Sequence, residues 1–285
     1  MGCWTHDCGR WRTMADLGRK PGITFYLACG WLALVVLCAL CAGVLPLHFT
    51  LDQIDSDHLA AGPGGAHLLG TDAMGRDLLV RLLFGSRVSL IVGSCAPLLG
   101  LVVGLLLGMP AAWCRGWSER LIMTATDVIL AFPALIFLLV FTAILGPKLI
   151  TITLGLGLLL SPRFIRVVRA NTARFREREF ILAARIGGAG EVSILLKEVL
   201  PNIMGPLLAY TLVVTGYVIV VEGGLAFLGL SVPSPAPSWG GMIAAGRDVL
   251  EEAPHVVIFP MATMFLTVLA VNLLGDRLRG RYERS

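Results

Sequence analysis

Two carboxylates within apolar stretches, Asp127 and Glu222, are the side chains of this 285-residue sequence best placed to do chemistry. Burying an unpaired carboxylate in a lipid bilayer costs several kcal/mol, so each must face protein, a polar cavity or water. Asp127 lies near one end of its apolar stretch, where water or Arg120 would compensate its charge. Glu222 precedes Gly223 and Gly224, and it is a candidate either for lining a polar path across the membrane or for binding structural partners.

The cysteine and histidine patterns do not define a metal or redox site. Cys3, His6 and Cys8 offer three ligand types, but three such residues in a polar tail are weak evidence, and we predict no metal there. Cys38 and Cys41 have the spacing of a redox pair, yet they lie within an apolar stretch. We therefore interpret them as small buried thiols.

The sequence has no phosphate-binding loop of the Gly-x-x-x-x-Gly-Lys-Ser/Thr type, in which the lysine follows a glycine. Its three lysines are Lys20, Lys148 and Lys197, and none follows a glycine. The His-Glu-x-x-His zinc-hydrolase motif is also missing from the sequence. We therefore assign no catalytic residue, no bound cofactor and no metal to this chain. Any ATP-driven step would have to take place in another subunit.

The composition is that of an integral membrane protein. Hydrophobic residues make up 56% of the chain and charged residues 15%, compared with roughly 25% charged in an average soluble domain. The mean hydropathy is +0.81. A chain this apolar lacks the charge to cover a soluble surface, and its composition excludes a disordered, disulfide-rich or nucleic-acid-binding protein. Its expected environment is the lipid bilayer.

Six apolar stretches are long enough to cross a bilayer, for which about 20 residues are needed. The first is too long for a cleavable signal peptide and has no clear cleavage site. The fold prediction is therefore an all-α, polytopic membrane protein with six transmembrane helices. The predicted spans are residues 24–45, 88–112, 121–145, 149–168, 203–224 and 256–275.

The basic residues indicate how the chain is oriented, because Lys and Arg are enriched in cytoplasmic loops. With the N-terminus inside, 18 of the 23 Lys and Arg residues fall on the cytoplasmic side and five on the outer side. An odd number of spans would destroy this asymmetry. We therefore predict that both termini are cytoplasmic.

An outer segment of residues 46–87 is unusually long for a loop, and its second half is amphipathic. Asp72 and Arg76, and likewise Asp77 and Arg81, stand four residues apart with the acid first, the favourable order for helical pairs. The pattern predicts an interfacial helix over 69–90. It would be either a scaffold at the outer mouth or a plain interfacial helix.

The inner loop, residues 161–202, contains eight of the basic residues. Its pattern predicts a helix over 174–187, a glycine turn, and a second helix from Glu191 to Leu200 that ends at Pro201. The apolar stripe of the first helix would be Phe175, Glu179, Leu182 and Ile186. A solvated hairpin between two spans and a docking element for another subunit both fit this pattern.

The same loop resembles the "EAA" loop of binding-protein-dependent ABC importer permeases, whose pattern is Glu-Ala-Ala-x-x-x-Gly followed by Leu-Pro-Asn. Leu182 stands where the family has Glu, and Glu198 where many members have His. The matching residues are Ala183, Ala184, Gly188, Leu200, Pro201 and Asn202. In this family the loop packs a short helix into a cleft on a cytoplasmic ATPase.

Three further stretches are similar to dipeptide and oligopeptide permeases, and in particular to the C type of their two permease subunits. Residues 69–77 resemble the segment before the second span, 227–240 the outer loop before the last span, and 272–276 the C-terminal end. The resemblance covers about residues 20–282. The outer-mouth residues that carry it are Asp72, Gly75, Arg76, Asp77 and Trp239, of which Trp239 is a candidate interface anchor.

This resemblance implies a type I ABC importer permease fold in the bacterial inner membrane, with a cytoplasmic tail over 1–22 and a transmembrane domain over 23–285. The implied partners are a second permease, two ATPase subunits that bind ATP and Mg, and an extracytoplasmic substrate-binding protein. The implied cargo is a di- or oligopeptide, whose α-amino group would suit an acid such as Glu222. The implied ATPase-coupling residues are Glu179, Leu182, Ala183, Ala184, Gly188, Leu200, Pro201 and Asn202.

Two alternatives remain open at this stage. An importer of nickel complexes or other small solutes would use the same mechanism, since the binding protein makes much of the substrate choice. An ion-coupled carrier that acts alone would need charged groups along an ion route through the membrane. Asp127 and Glu222 lie near opposite ends of their spans and give that second alternative little support.

Overall fold

A computed structural model describes residues 22–44, 49–233 and 235–282. The predicted N-terminal tail, with Cys3, His6 and Cys8, lies outside these residues. In the part described, regular secondary structure is helical apart from one isolated β-bridge between Thr71 and Asp77. The all-α prediction is therefore confirmed.

Ten α-helices form the described chain. A π-helical turn over Leu195–Val199 joins the seventh to the eighth, and a 3₁₀ turn over Arg247–Val249 follows the ninth. The helices are α1 (Ile23–Cys41), α2 (Leu78–Cys114), α3 (Trp117–Ala131), α4 (Ala134–Leu145), α5 (Leu149–Phe175), α6 (Glu179–Ile186), α7 (Glu191–Ile194), α8 (Leu200–Phe227), α9 (Trp239–Gly246) and α10 (His255–Tyr282).

Five helical stretches are long and apolar enough to cross a bilayer by themselves: α1, α2, α5, the α7–α8 stretch and α10. The third predicted span, 121–145, is not one straight helix, because α3 and α4 meet at an angle of 87°. Pro133 explains the break. A residue before proline is disfavoured in the α region, and Phe132 is extended, with φ −81° and ψ 132°. Counted as one bent span, the pair brings the total to six.

The best-packed contact of the bundle joins α2 to α5 through a glycine stripe. Gly100, Gly104 and Gly108 follow one another at intervals of four residues and face α5. A Cβ on Gly104 would lie 2.7 Å from the Cβ of Phe164 and 3.0 Å from its backbone carbonyl carbon. Small residues with this spacing allow two helix backbones to approach closely in a membrane. This contact forms much of the hydrophobic core.

The first helix of the described chain begins, and the last helix finishes, at the same end of the bundle. The guanidinium of Arg277, near the end of α10, lies 5.2 Å from the ring centroid of Phe25, near the start of α1. At the other end, Arg87 near the start of α2 donates to the carbonyl oxygens of Ala39 and Leu40, where α1 finishes. This arrangement is the one an even number of membrane crossings requires.

The three cysteines of α1, Cys29, Cys38 and Cys41, form no disulfide. Cys38 is half-buried and Cys41 is exposed, so the prediction of two buried thiols is wrong for Cys41 within this chain.

Candidate functional site

The inner loop is shorter than the sequence predicted, because α5 continues to Phe175. The predicted stripe of Phe175, Glu179, Leu182 and Ile186 does not lie on one helix. Residues 176–178 separate α5 from α6, so Phe175 belongs to α5 and Glu179 begins α6. We name residues 176–202 the coupling segment.

Helix α6 is amphipathic, and its buried side differs from the predicted one. Ile181 is fully buried in the main core and Ala184 packs beside it, whereas Glu179 and Ala183 are exposed. Three large apolar side chains of α6 also face outward. Ile186 is 88% exposed, and we name the set of Phe180, Leu182 and Ile186 the coupling surface. An apolar surface of this kind at the end of a helical bundle is typical of a protein-docking site.

Gly188 follows α6 in a left-handed conformation, with φ +82°. A Cβ at this position would meet no atom of the described chain within 4 Å, so the space beside Gly188 is open. Glycine adopts this conformation without steric cost, which explains its position at the end of the helix.

The prediction that the second loop helix ends at Pro201 is wrong. Helix α7 continues through the π-helical turn into α8, and the N–H of Leu200 bonds the carbonyl of Leu195 at the end of that turn. Pro201 then occupies the first turn of α8, where a missing N–H does little harm. Pro201 and Asn202 are exposed, and Leu200 is half-buried. The π-helical turn therefore lets a proline-containing sequence remain helical.

A three-residue bracket joins the coupling segment to the end of α2. Arg185 of α6 donates two hydrogen bonds to Glu191 of α7, at 2.9 and 3.1 Å. The indole N–H of Trp113 donates to the same carboxylate at 2.7 Å, and the Arg185 guanidinium lies 5.3 Å from the Trp113 ring centroid. This bracket of Trp113, Arg185 and Glu191 was not predicted, because Trp113 is far from the other two in sequence.

Glu222 lies near the end of α8 and is only 1% exposed. Its Oε1 accepts hydrogen bonds from the hydroxyls of Ser231 and Ser238, the latter at 2.8 Å, while Oε2 has no partner within the described residues. Ser238 also accepts from the backbone N–H of Gly241 and caps α9. The carboxylate thereby ties the outer loop and α9 to α8. Its role on a translocation path stays a prediction.

Trp239 is fully buried, so the prediction of a membrane-interface anchor is wrong. Its indole N–H donates to the carbonyl of Leu82 at 3.3 Å, and its backbone N–H donates to the Ser89 hydroxyl at 3.1 Å. The first residue of α9 is thus fixed against α2. The alternating prolines of residues 231–241 predict an extended backbone there, but residues 239–241 are helical.

The predicted interfacial helix over 69–90 is wrong in its first half. Residues 70–77 form a tight turn, in which Asp72 N–H bonds the Arg76 carbonyl and Leu78 N–H bonds the Gly70 carbonyl. Gly75 has φ +76°, and a Cβ there would lie 2.2 Å from the Asp55 carbonyl oxygen. Helix α2 begins only at Leu78, which is buried rather than facing lipid.

Of the two predicted ion pairs of this turn, Asp72 with Arg76 is present and Asp77 with Arg81 is not. Asp72 binds Arg76 at 2.8 Å and also Arg81 at 3.4 Å. Asp77 does not pair with Arg81. Its Oδ1 caps α2 by accepting from the N–H of Val80 at 2.9 Å, and its Oδ2 binds His67. All four predicted members of this cluster are buried.

His67 is a feature of the outer segment that the sequence did not reveal. Its Nδ1 lies 2.9 Å from Asp77 Oδ2 and its Nε2 lies 3.4 Å from Asp55 Oδ2. Burial would lower the pKa of His67, but the hydrogen bonds to Asp77 and Asp55 outweigh it and raise the pKa. A hydrogen bond from His58 lowers the pKa of Asp55. No spacing motif marks these residues, because the fold of the segment brings them together.

Of the two compensations predicted for Asp127, water or Arg120, exposure to solvent agrees with the structure, and the ion pair is formed with another arginine. The Asp127 carboxylate lies 2.6 Å from the guanidinium of Arg166 on α5, and both side chains are at least half exposed. A second α3–α5 ion pair, Glu119 with Arg169, lies nearby in sequence. Asp127 thus forms an exposed ion pair with α5.

The described bundle has the fold of a transmembrane domain of the type I ABC importer class. The solved structure of the MetNI methionine ABC transporter in inward-facing conformations has this fold. It aligns with a TM-score of 0.56 at 19% identity, over 72% of this chain and 96% of the other. That similarity shows the fold alone.

Sequence comparison identifies the family. Residues 100–285 match the model of the binding-protein-dependent transport system inner membrane component, and the chain belongs to this family. It is 39% identical to the glutathione transport system permease protein GsiD of Pectobacterium atrosepticum, over 80% of this chain and 76% of the relative. It is 38% identical to the di/tripeptide transport system permease protein DppC of Pseudomonas aeruginosa, over 94% of this chain and 89% of the relative. The chain is therefore an ABC importer permease subunit, a multi-pass protein of the inner membrane.

Proposed function

We propose that this permease subunit imports small peptides, and that it receives them from a substrate-binding protein outside the membrane. The support for a peptide cargo comes from its relatives, which are named as permeases for glutathione and for di- and tripeptides. Glutathione is itself a tripeptide derivative, so the two names indicate one substrate class. Nickel complexes remain an alternative cargo, with no comparable support among these names.

The observation that carries the mechanistic part of the proposal is the coupling surface. Phe180, Leu182 and Ile186 project from a short helix at one end of the bundle, while Ile181 anchors the opposite side of that helix in the core. Removing exposed apolar area from water favours association. The partner that fits this surface is an ATPase subunit with an apolar cleft.

Leu182 matters for this docking because it replaces the glutamate of the family pattern. An exposed leucine would contribute apolar contact where the family residue would contribute a polar one. Gly188 would let the partner approach the turn closely, since the space beside it is open. Together with a second permease and its ATPase, this chain would alternate between inward- and outward-open states as ATP binds and is hydrolysed.

The orientation follows from the same proposal. The coupling segment must face the cytoplasm, where ATP is available. The start of α1 and the end of α10 lie at the same end of the bundle as this segment. This matches the asymmetry of the basic residues, most of which fall at the predicted cytoplasmic side. Both termini are then cytoplasmic, and residues 49–77 face the outside.

Uptake measurements test the cargo and the energy source together. The chain is co-expressed with its second permease, ATPases and binding protein in cells that lack their own peptide importers. We expect uptake of labelled di- and tripeptides that is lost with an ATPase variant unable to hydrolyse ATP. Uptake of a nickel complex but not of peptides would contradict the cargo, and uptake that persists with the inactive ATPase would contradict the mechanism.

A further inference from the structure

Three side chains of the outer segment direct possible metal ligands at one point. Asp55 Oδ2 lies 2.9 Å from His58 Nδ1 and 3.4 Å from His67 Nε2. The three ligating atoms all lie within 4.8 Å of one another. A tetrahedral ion with bonds of about 2.0–2.1 Å separates its ligand atoms by roughly 3.3 Å. The cluster already has spacings on this scale.

The buried histidine is oriented as a metal ligand requires. Its Nδ1 is bonded to the Asp77 carboxylate at 2.9 Å, so Nε2 is the nitrogen that faces Asp55 and His58. Metal-binding histidines commonly use their second nitrogen to bond a carboxylate, which fixes the ring and makes it a better ligand. Phe49 stacks on the same ring at a centroid distance of 4.3 Å and holds its plane.

The backbone of the segment also holds each ligand residue in place. Asp55 N–H donates to the Gly75 carbonyl at 2.9 Å, and the His58 carbonyl accepts from the Thr71 hydroxyl. The His67 carbonyl accepts from Gly64 and Gly70 at 2.9 and 3.0 Å. The three ligand residues are thus fixed by backbone hydrogen bonds that do not involve their ligating atoms.

We propose that Asp55, His58 and His67 bind one divalent transition-metal ion, with zinc as the best match. Two imidazole nitrogens and one carboxylate oxygen are ligands that zinc accepts in three-residue sites, and the fourth position would take water. Asp55 and His58 are partly exposed, which gives the ion an entry path and room for that water.

The ion would tie the outer segment to the second span. Asp77 orients His67 through one carboxylate oxygen and caps the first turn of α2 through the other, at 2.9 Å in both cases. The metal, His67, Asp77 and the start of α2 then form one connected unit. The role assigned to the ion is structural, and the inference does not depend on which solute the permease carries.

Metal analysis of the full-length chain tests the proposal. The protein is purified without a polyhistidine tag, together with the subunits that remain bound to it after extraction from the membrane. It carries Cys3→Ser, His6→Ala and Cys8→Ser, so that the N-terminal tail cannot bind metal. After treatment with a chelator, zinc is added back and its affinity is measured by competition with an indicator. We expect about one zinc per chain on the outer segment, with nitrogen and oxygen ligands at about 2.0–2.1 Å in X-ray absorption.

Matched variants assign the bound zinc to this cluster. His58→Gln and Asp55→Asn should each weaken binding at least 10-fold. His58 is about half exposed, so its substitution leaves the fold intact, and Asp57→Asn removes a nearby acid that is not a ligand. Asp57→Asn should bind zinc normally. The proposal is overturned if the protein with the three tail substitutions binds no added zinc. It is also overturned if adding His58→Gln to that protein leaves its zinc affinity unchanged.

Discussion

At the scale of single residues, Glu222 is a candidate transport residue by sequence, and in the fold it is a buried hydrogen-bond acceptor. The carboxylate accepts two serine hydroxyls from the segment that leads into α9. Close by, a Cβ on Gly240 would lie 2.3 Å from the Cα of Gly223. Removing the acceptor would leave two hydroxyls in an apolar site, each of which then loses a hydrogen bond.

We therefore expect Glu222→Ala to lower the stability of the purified subunit by on the order of 2 kcal/mol, because buried donors lose their acceptor and a cavity forms. Glu222→Gln keeps an acceptor oxygen and should retain most of the stability and near-normal uptake. Thermal unfolding in detergent and uptake assays measure these two outcomes, with the exposed Glu251→Gln as control. Loss of uptake in a stably folded Glu222→Gln variant would instead support a place on the translocation path.

At the scale of helices, the contact between α2 and α5 depends on the small size of its glycines. Gly104→Ala would place a methyl group 2.7 Å from the Phe164 side chain and 3.0 Å from its backbone. Because neither helix can move away without disturbing the core, we expect a loss of about 1–3 kcal/mol. The melting temperature of the purified subunit checks this.

Gly30→Ala is the matched control for this substitution. Gly30 is also in a helix interior, but a Cβ there would meet nothing within 4 Å. Alanine is favoured over glycine in a helix by about 0.5–1 kcal/mol, so this variant should be unchanged or slightly more stable. An equal loss of stability in both variants would contradict the role assigned to the α2–α5 stripe.

The bracket of Trp113, Arg185 and Glu191 holds the coupling segment against the end of α2. We expect Glu191→Ala to leave the amount of folded protein unchanged, because the carboxylate is largely exposed. Transport should nevertheless fall relative to ATP hydrolysis, since α6 would lose the carboxylate that links it to α7 and to the end of α2. The ratio of peptide uptake to ATP hydrolysis in proteoliposomes measures this effect.

The matched control is Glu177→Ala, which breaks an exposed ion pair with Arg115 close to the same loop. That pair does not involve α6, so the ratio of uptake to hydrolysis should stay normal. An unchanged ratio in Glu191→Ala would show that the bracket does not transmit movement.

The spans could be predicted because they follow from apolar length, which a bilayer imposes directly. Helix α2 begins ten residues before the predicted start of its span at residue 88, because Leu78 to Arg87 extend the helix in the protein interior. The sequence does indicate the break between α3 and α4, because Pro133 disfavours a helical conformation at Phe132. The turn at 70–77 also had signals, because Gly70 and Gly75 adopt positive φ and interrupt the helix that the charge spacing suggested.

Other features depend on contacts between distant residues and had no local signal. The pairing of Asp77 with His67, and of Glu191 with Trp113, depends on how the outer segment and the coupling segment fold back on α2. The continuous helix through Pro201 depends on a π-helical turn, which the sequence pattern does not reveal. The predicted coupling residues and their function in docking remain predictions.

At the scale of the whole molecule, the bundle has two different ends. One carries the outer segment, the capped start of α2 and α9, which are fixed by buried polar contacts. The other carries the coupling surface, whose apolar side chains are exposed in the described chain. An importer permease needs this division, because one end must meet a binding protein and the other must receive force from an ATPase.

Co-purification of ATPase subunits with this chain tests the central claim most directly. The wild-type permease and an Ile186→Ser variant are isolated from membranes that contain the partner subunits, and the bound ATPase is quantified. Leu68→Ser is the matched control, because Leu68 is 70% exposed on the outer segment. We predict that the wild type and Leu68→Ser retain the ATPase, whereas Ile186→Ser retains several-fold less at unchanged permease yield. Wild-type permease that recovers no ATPase, or an Ile186→Ser variant that retains it fully, would contradict the account.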